Sequence, residues 1–294
     1  MLPLESVPNV SEGRDETVVR RIGEAFSAAA RLLDVHSDID HNRSVYTLVG
    51  VDGDDALVDS LLAGIRAASE LVDLRDHEGV HPRVGAADVV PLVPLAPGDM
   101  DRARAAALQL GERVGRELGL PAFLYGEVAS GQRPAFFRRG GRDELQRRIS
   151  VGELVPDFGP AELDERAGAV LVGARAPLVA FNVVLASEDA SVAAEVAAAV
   201  RESSGGMPGV QALGFRLASS GQAQVSVNVI DVERASLHEV VERITAEARE
   251  RGVEVDGCEL VGLLPARAVV AAAAGPLGLE GLDSSRVLEL RLLD

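Results

Sequence analysis

The chain of 294 residues is 47% hydrophobic and 26% charged, a balance that supports a buried core in two units of about 150 residues or in one long one. Its formal net charge of −17 opposes nucleic-acid binding, apolar runs such as residues 268–274 fall far short of the ~18 that a membrane span needs, and residues 1–5 carry no basic or apolar leader. The lone Cys258 precludes an internal disulfide and fits the cytoplasm, while all 29 basic side chains are arginine, which excludes Schiff-base, P-loop and Ser/Lys chemistry.

Residues 4–10 read as a strand, followed through Ser11, Glu12 and Gly13 by a helix over 15–29 with Val18, Val19, Ile22, Ala25, Phe26 and Ala29 on its apolar face. Strands over 31–36 and 44–49 flank a polar turn, a helix spans 55–71, and a strand covers 88–93. The order is βαββαβ. A helix over 99–118, a short strand at 122–125 and an arginine-dense polar segment at 131–148 complete the first half. Pro156, Gly159 and Pro160 open a loop that places the boundary between residues 160 and 178. The expected units are 1–177 and 178–294.

The order then recurs: strand 178–186, helix 190–202, strand 210–217, turn 219–222, strand 223–230, helix 236–251 and strand 253–261. Two βαββαβ units predict an α+β fold, with each unit ferredoxin-like and its antiparallel sheet backed by helices on one face.

The copies differ in chemistry. The first hairpin presents Asp38, Asp40, His41, Asn42 and Arg43, whereas the second offers small polar residues, and four of the five histidines lie between residues 36 and 81. His77, Glu78, Gly79, Val80 and His81 spell the H-E-x-x-H pattern, which binds zinc only when a continuous helix puts both imidazoles on one face. Gly79, Pro82 and Gly85 break such a helix, so the segment reads as a loop and no metal is expected. A solvated turn at 37–43 is the plain alternative for the hairpin.

Six stretches then match a known pattern in order and spacing: Val7-Pro8-Asn9-Val10-Ser11-Glu12-Gly13, Asn42-Arg43-Ser44-Val45-Tyr46-Thr47, Gly79-Val80-His81-Pro82-Arg83-Val84-Gly85-Ala86-Ala87-Asp88, Leu124-Tyr125-Gly126-Glu127, Pro156-Asp157-Phe158-Gly159-Pro160 and Ala180-Phe181-Asn182. Together they resemble the glutamate formiminotransferase family. The resemblance spans nearly the whole chain and implies transfer of a formimino group from N-formimino-L-glutamate to tetrahydrofolate, the co-substrate, in histidine breakdown. It implies a catalytic role for His81 and a folate-binding loop over 159–168, with Gly159, Pro160 and Gly168. The loop departs from the animal pattern at Ala167, where a tryptophan stands, and in Glu162, Asp164 and Glu165; His36 replaces an aspartate. The resemblance also implies a homodimer formed through the second subdomain, and a separate cyclodeaminase acting on the product.

Histidine suits such a transfer because its ordinary pKa of about 6.5 lets one side chain both accept and deliver a proton near neutrality. Arg43 and Arg83 are candidates for substrate carboxylates through the bidentate guanidinium fork. Asn42 either bonds a substrate amide or fills a left-handed turn position. Asp38 and Asp40 can set the charge of His41 or of the pterin, and His77 and Glu78 either orient His81, bind substrate or form a solvated pair. Asn182 and Asn228, at equivalent places in the second copy, need partners within apolar strands, from a substrate or from a structural hydrogen bond. Formyl transfer from 5-formyltetrahydrofolate or N-formylglutamate and a non-catalytic folate-binding module remain open.

Overall fold

The first apolar stretch does not form one strand. Pro8 has no N–H for the ladder, and the chain divides around it into β1 (Leu4–Ser6) and β2 (Asn9–Val10). The computed structural model describes residues 2–129, 131–278, 282–283 and 286. Its contacts group into two units, Met1–Ala176 and Pro177–Asp294.

In the first unit, α1 (Glu16–Phe26) begins where the Asp15 carboxylate accepts from the Thr17 and Val18 amides. A hairpin of β3 (Arg31–Asp38) and β4 (Arg43–Val49) follows, then α2 (Asp54–Leu71) and β5 (Ala87–Pro94). After β5 come α3 (Met100–Arg113), which runs into a π-helical turn at Val114–Leu118, and β6 (Ala122–Gly126). The arginine-dense segment forms two helices, α4 (Pro134–Arg138) and α5 (Gly141–Ser150), ahead of β7 (Val170–Ala174).

The expectation of an antiparallel sheet backed on one face does not hold for this unit. β3, β4, β1, β2 and β5 are antiparallel, but β5 pairs with β7 and β7 with β6 in parallel. Parallel neighbours need crossover connections, which α3 and the α4–α5 pair provide. Strands between two helical layers are buried on both faces, and every residue of β5 and β7 is buried. Val90, Leu124 and Val172 join the core built on α1, α2 and α3, whereas Phe123, Tyr125 and Leu171 pack with Phe137, Leu145 and Ile149 of α4 and α5.

The second unit follows the expected order: β8 (Val179–Leu185), α6 (Ala190–Val200), β9 (Val210–Arg216), β10 (Ala223–Val229), α7 (Leu237–Glu250) and β11 (Val255–Val261). Its four strands run antiparallel in the order β11-β8-β10-β9. Val183, Val225 and Val227 pack on Val196 and Ile244 from the helices. The apolar run near residue 270 forms an additional helix, α8 (Ala266–Leu277), and its Ala268 joins this core. Among the described residues no helix is long and apolar enough to cross a membrane.

Candidate active site

The α2–β5 connection, residues 72–86, contains neither helix nor strand, so His77 and His81 do not share the helical face that the zinc motif requires. Among the described residues no group of three metal-ligating side chains occurs. The loop is moulded onto the β3–β4 hairpin instead. Gly79 lies so near the hairpin that a Cβ there would overlap the His41 carbonyl oxygen, and the Val80 amide donates to the Asp40 carbonyl at 3.1 Å.

Asn42 ties the segments together. It holds the left-handed backbone conformation, φ 45°, which asparagine tolerates better than most residues. Its Nδ2 donates to the Glu78 carbonyl at 2.9 Å, and its Oδ1 accepts from the Gly13 amide at 3.0 Å. Asn42 thus fills the left-handed turn position, and both ends of its amide bond the protein. Asp38 Oδ1 accepts from the Asp40 and His41 amides at 2.8 and 2.7 Å, the local turn that aspartate favours. His41 is buried, and its ring centre lies 5.8 Å from that of His81.

Beneath the histidines lies an ion cluster. Asp88, fully buried at the start of β5, accepts from the Val84 amide at 2.8 Å, from Arg43 Nη1 at 2.7 Å and from Arg138 Nη2. Arg43 also donates through Nε to Asn9 Oδ1 at 3.0 Å. Burial lowers the Arg43 pKa to about 10 against the pull of Asp88. For Asp88, burial works to raise the pKa, but Arg138 and Arg43 hold it well below the ordinary carboxylate value. Arg43, expected on a substrate, thus bonds Asp88 and Asn9 within the fold.

Arg83 is likewise turned onto its own loop. It donates through Nε and Nη2 to the His81 carbonyl at 3.1 and 2.6 Å, through Nη2 to the Gly79 carbonyl at 2.5 Å, and through Nη1 to His77 Nδ1. A guanidinium can only donate, so His77 Nδ1 carries the lone pair. Burial and Arg83 lower the His77 pKa to about 4.

His81 Nδ1 lies 2.8 Å from the Pro82 carbonyl. A carbonyl can only accept, which puts the proton on Nδ1 and the lone pair on Nε2. Burial, then Arg43 and Arg138, push the His81 pKa well below 6.5, so the ring is neutral at pH 7. His77, His81, Arg83 and Arg142 line an open cavity of ≈ 390 Å³. Arg142 links its walls by donating to the carbonyls of Leu74 at 3.1 Å and Glu165 at 2.8 Å.

The far end of the 159–168 loop reaches this place. Gly168 has φ 71° and bridges to Gly85, and the Ala86 amide donates to the Ala167 carbonyl at 2.8 Å. Asp164 Oδ1 accepts from the Arg166 and Ala167 amides at 2.9 and 2.7 Å, so one of the departing acidic residues shapes the turn. Gly159 and the exposed Pro160 lie elsewhere, where Gly159 presses on Gly115 and Leu120. Asn182 and Asn228 belong to the second unit, on the sheet face turned away from α6 and α7; Asn182 donates to Glu259 Oε2 at 3.3 Å.

Asp88, Arg138 and Arg142 were not among the expected site residues. An aspartate heading the apolar run Val89-Val90 demands a buried cation, which is a legible signal for Asp88 and for its partners as a class. Nothing in the spacing distinguishes Arg138 or Arg142 within their arginine-dense segment.

A family model described as the formiminotransferase domain, N-terminal subdomain, matches residues 3–175, and one described as the formiminotransferase domain matches residues 180–276. The chain is 39% identical to a glutamate formimidoyltransferase of Thermoplasma acidophilum over 98% of this chain and 97% of that protein. It is 38% identical to one of Streptococcus pyogenes over 99% and 98%. Against the formimidoyltransferase-cyclodeaminase of Rattus norvegicus it is 40% identical over 92% of this chain and 52% of that protein. Two family matches covering both units, with these near full-length relatives, establish that the chain belongs to the formiminotransferase family.

Proposed function

We propose that this protein is a glutamate formimidoyltransferase that moves the formimino group of N-formimino-L-glutamate to N5 of tetrahydrofolate, with His81 as proton shuttle. N5 attacks the amidine carbon to give a tetrahedral intermediate. The carbon–nitrogen bond to glutamate then breaks, and the departing nitrogen takes up the proton that N5 gives up. Net proton uptake is zero, so one base that returns its proton suffices.

The observation that carries this reading is the setting of His81: its Nδ1 lies 2.8 Å from the Pro82 carbonyl, which as an acceptor favours the proton on Nδ1, at the edge of an open cavity. Its Nε2 is thereby the basic atom. Once protonated beside Arg43 and Arg138, the ring is a stronger acid than an ordinary imidazolium, which favours return of the proton to the leaving amine. Arg83 and Arg142 give the cavity positive charge suited to carboxylated substrates. The 159–168 loop, packed against the histidine loop through Gly168 and Ala167, is the proposed folate contact.

The strand orders also support a finer reading of the fold, in which each unit is ferredoxin-like and the first is extended by β7 and β6. Subdomains of 1–177 and 178–294, a homodimer in the cytoplasm and a separate cyclodeaminase for the product complete the proposal. The direct test incubates the protein with tetrahydrofolate and formiminoglutamate or formylglutamate and identifies products by mass spectrometry. Formation of 5-formiminotetrahydrofolate and glutamate is expected; formyl transfer alone, or binding without turnover, would replace this reading. The acid limb of kcat/KM is expected below pH 6.5, in keeping with the lowered His81 pKa.

A further inference from the structure

Of Arg43, Arg83, Arg138 and Arg142 around the histidine loop, Arg138 makes the fewest hydrogen bonds among the described residues, although the buried Nε of Arg142 likewise has no acceptor. Arg43 uses Nε on Asn9 and Nη1 on Asp88. Arg83 spends Nε, Nη1 and Nη2 on its own loop, and Arg142 spends Nη1 and Nη2 on carbonyls of Leu74, Asp164 and Glu165. Among the described residues Arg138 makes a single hydrogen bond, from Nη2 to Asp88, and its buried Nε has no acceptor. A guanidinium carries five N–H donors. Most of the binding capacity of Arg138 is therefore unused.

The charge balance points the same way. One carboxylate oxygen of Asp88 serves both Arg43 and Arg138, which leaves the cluster with one positive charge in excess. A buried surplus charge is costly until a counter-ion arrives. Arg138 has donors left for one, and its side chain keeps 13% of its surface exposed against 9% for Arg43. Asp88 also accepts from the amide of Val84 in the histidine loop, and Arg43 lies in the hairpin that presents His41, whose ring centre is 5.8 Å from that of His81, which sets the cluster beside the proposed reaction centre.

We propose that Arg138, held in place by Asp88, binds a carboxylate of the formimino donor, so that the donor completes the charge balance of the cluster. This rests on the transferase reading above and assigns the donor-recognition role that sequence spacing suggested for Arg43 to Arg138 instead. Asp88 and Arg43 are then the positioning pair, and Arg138 is the group that touches substrate.

The test compares wild type with Arg138→Gln and Arg138→Lys. A lost charge-assisted hydrogen bond corresponds to a KM for formiminoglutamate raised on the order of 10- to 100-fold, with the KM for tetrahydrofolate within about threefold of wild type. Arg138→Lys, which keeps charge on Asp88 but loses the fork, should fall between. Calorimetry should show weaker binding of L-glutamate, the product that retains both carboxylates, in Arg138→Gln. The two mono-amides of the donor provide the readout that a purely structural role would not move: one of them should be penalised in wild type and not in Arg138→Gln. Equal penalties in both proteins, or an unchanged KM for formiminoglutamate in an active Arg138→Gln, would overturn the assignment while leaving the transferase reading intact. A wild type that neither turns over nor binds the donor would end both. If Arg138→Gln does not fold, the mono-amide comparison in Arg138→Lys decides.

Discussion

The two units contain the same βαββαβ succession, yet their matching connections are used differently. In the first, Asp40, His41 and Asn42 of the β3–β4 turn are buried and Asn42 bonds Gly13 and Glu78, whereas the β9–β10 turn of the second is largely exposed and closes on itself through Gly221 and Gln222 bonding Leu217. The connection before the last strand of the repeat spans residues 72–86 in the first unit and only 251–254 in the second. The repeat thus provides the frame, and one lengthened connection folded onto one hairpin holds the residues proposed for the chemistry. Loops positioned by a rigid scaffold are where function concentrates.

Breaking the ion cluster should test that contrast most severely. Asp88→Asn leaves two buried guanidiniums facing no carboxylate, and removal of one partner from a buried pair costs about 3–5 kcal/mol. Urea unfolding should show that loss with an unchanged slope; a variant within about 1 kcal/mol of wild type would mean that the cluster is not a buried network.

The matched turns give a finer comparison. Asn42→Ala removes two hydrogen bonds and leaves a residue less suited to positive φ, so a loss of about 2–3 kcal/mol is expected, together with lower kcat as the histidine loop loosens. Gln222→Ala removes only an exposed bond to Asp256 and should stay within about 0.5 kcal/mol with unaltered kcat. Equal responses would show that the two hairpins play equivalent parts.

A further comparison lies in acid. His77 titrates at about 4 in the fold against 6.5 as the ordinary value, so between these values the unfolded chain binds more protons and stability falls as pH falls. The loss begins near pH 6.5 and is complete below about pH 4. His77→Gln, which cannot take up a proton, should flatten this part of the stability profile, and a profile identical to wild type would deny the linkage.

Much of the frame was legible before the structure. Periodicity located α1, α2, α6 and α7 because each buries one face, and the alternating strands of the second unit have one buried and one polar face. β7 escaped because five residues buried on both faces carry no alternation. α4 and α5 escaped because their polar, arginine-dense sequence conceals the few apolar side chains that cover the other face of the sheet. Within the site, the loop was legible from Gly79, Pro82 and Gly85. The partners of Arg43 were not legible, since Asp88, 45 residues from Arg43, is fixed by tertiary contact and not by spacing.

The central claim, that His81 on this single loop moves the protons, is tested most directly by single-turnover rates of His81→Ala with its folding checked by circular dichroism and its tetrahydrofolate affinity measured separately. Native folding, a dissociation constant near that of wild type, and a transfer rate lower by about 10²- to 10⁴-fold are expected. A folded His81→Ala protein that transfers the formimino group at near wild-type rate would contradict the claim.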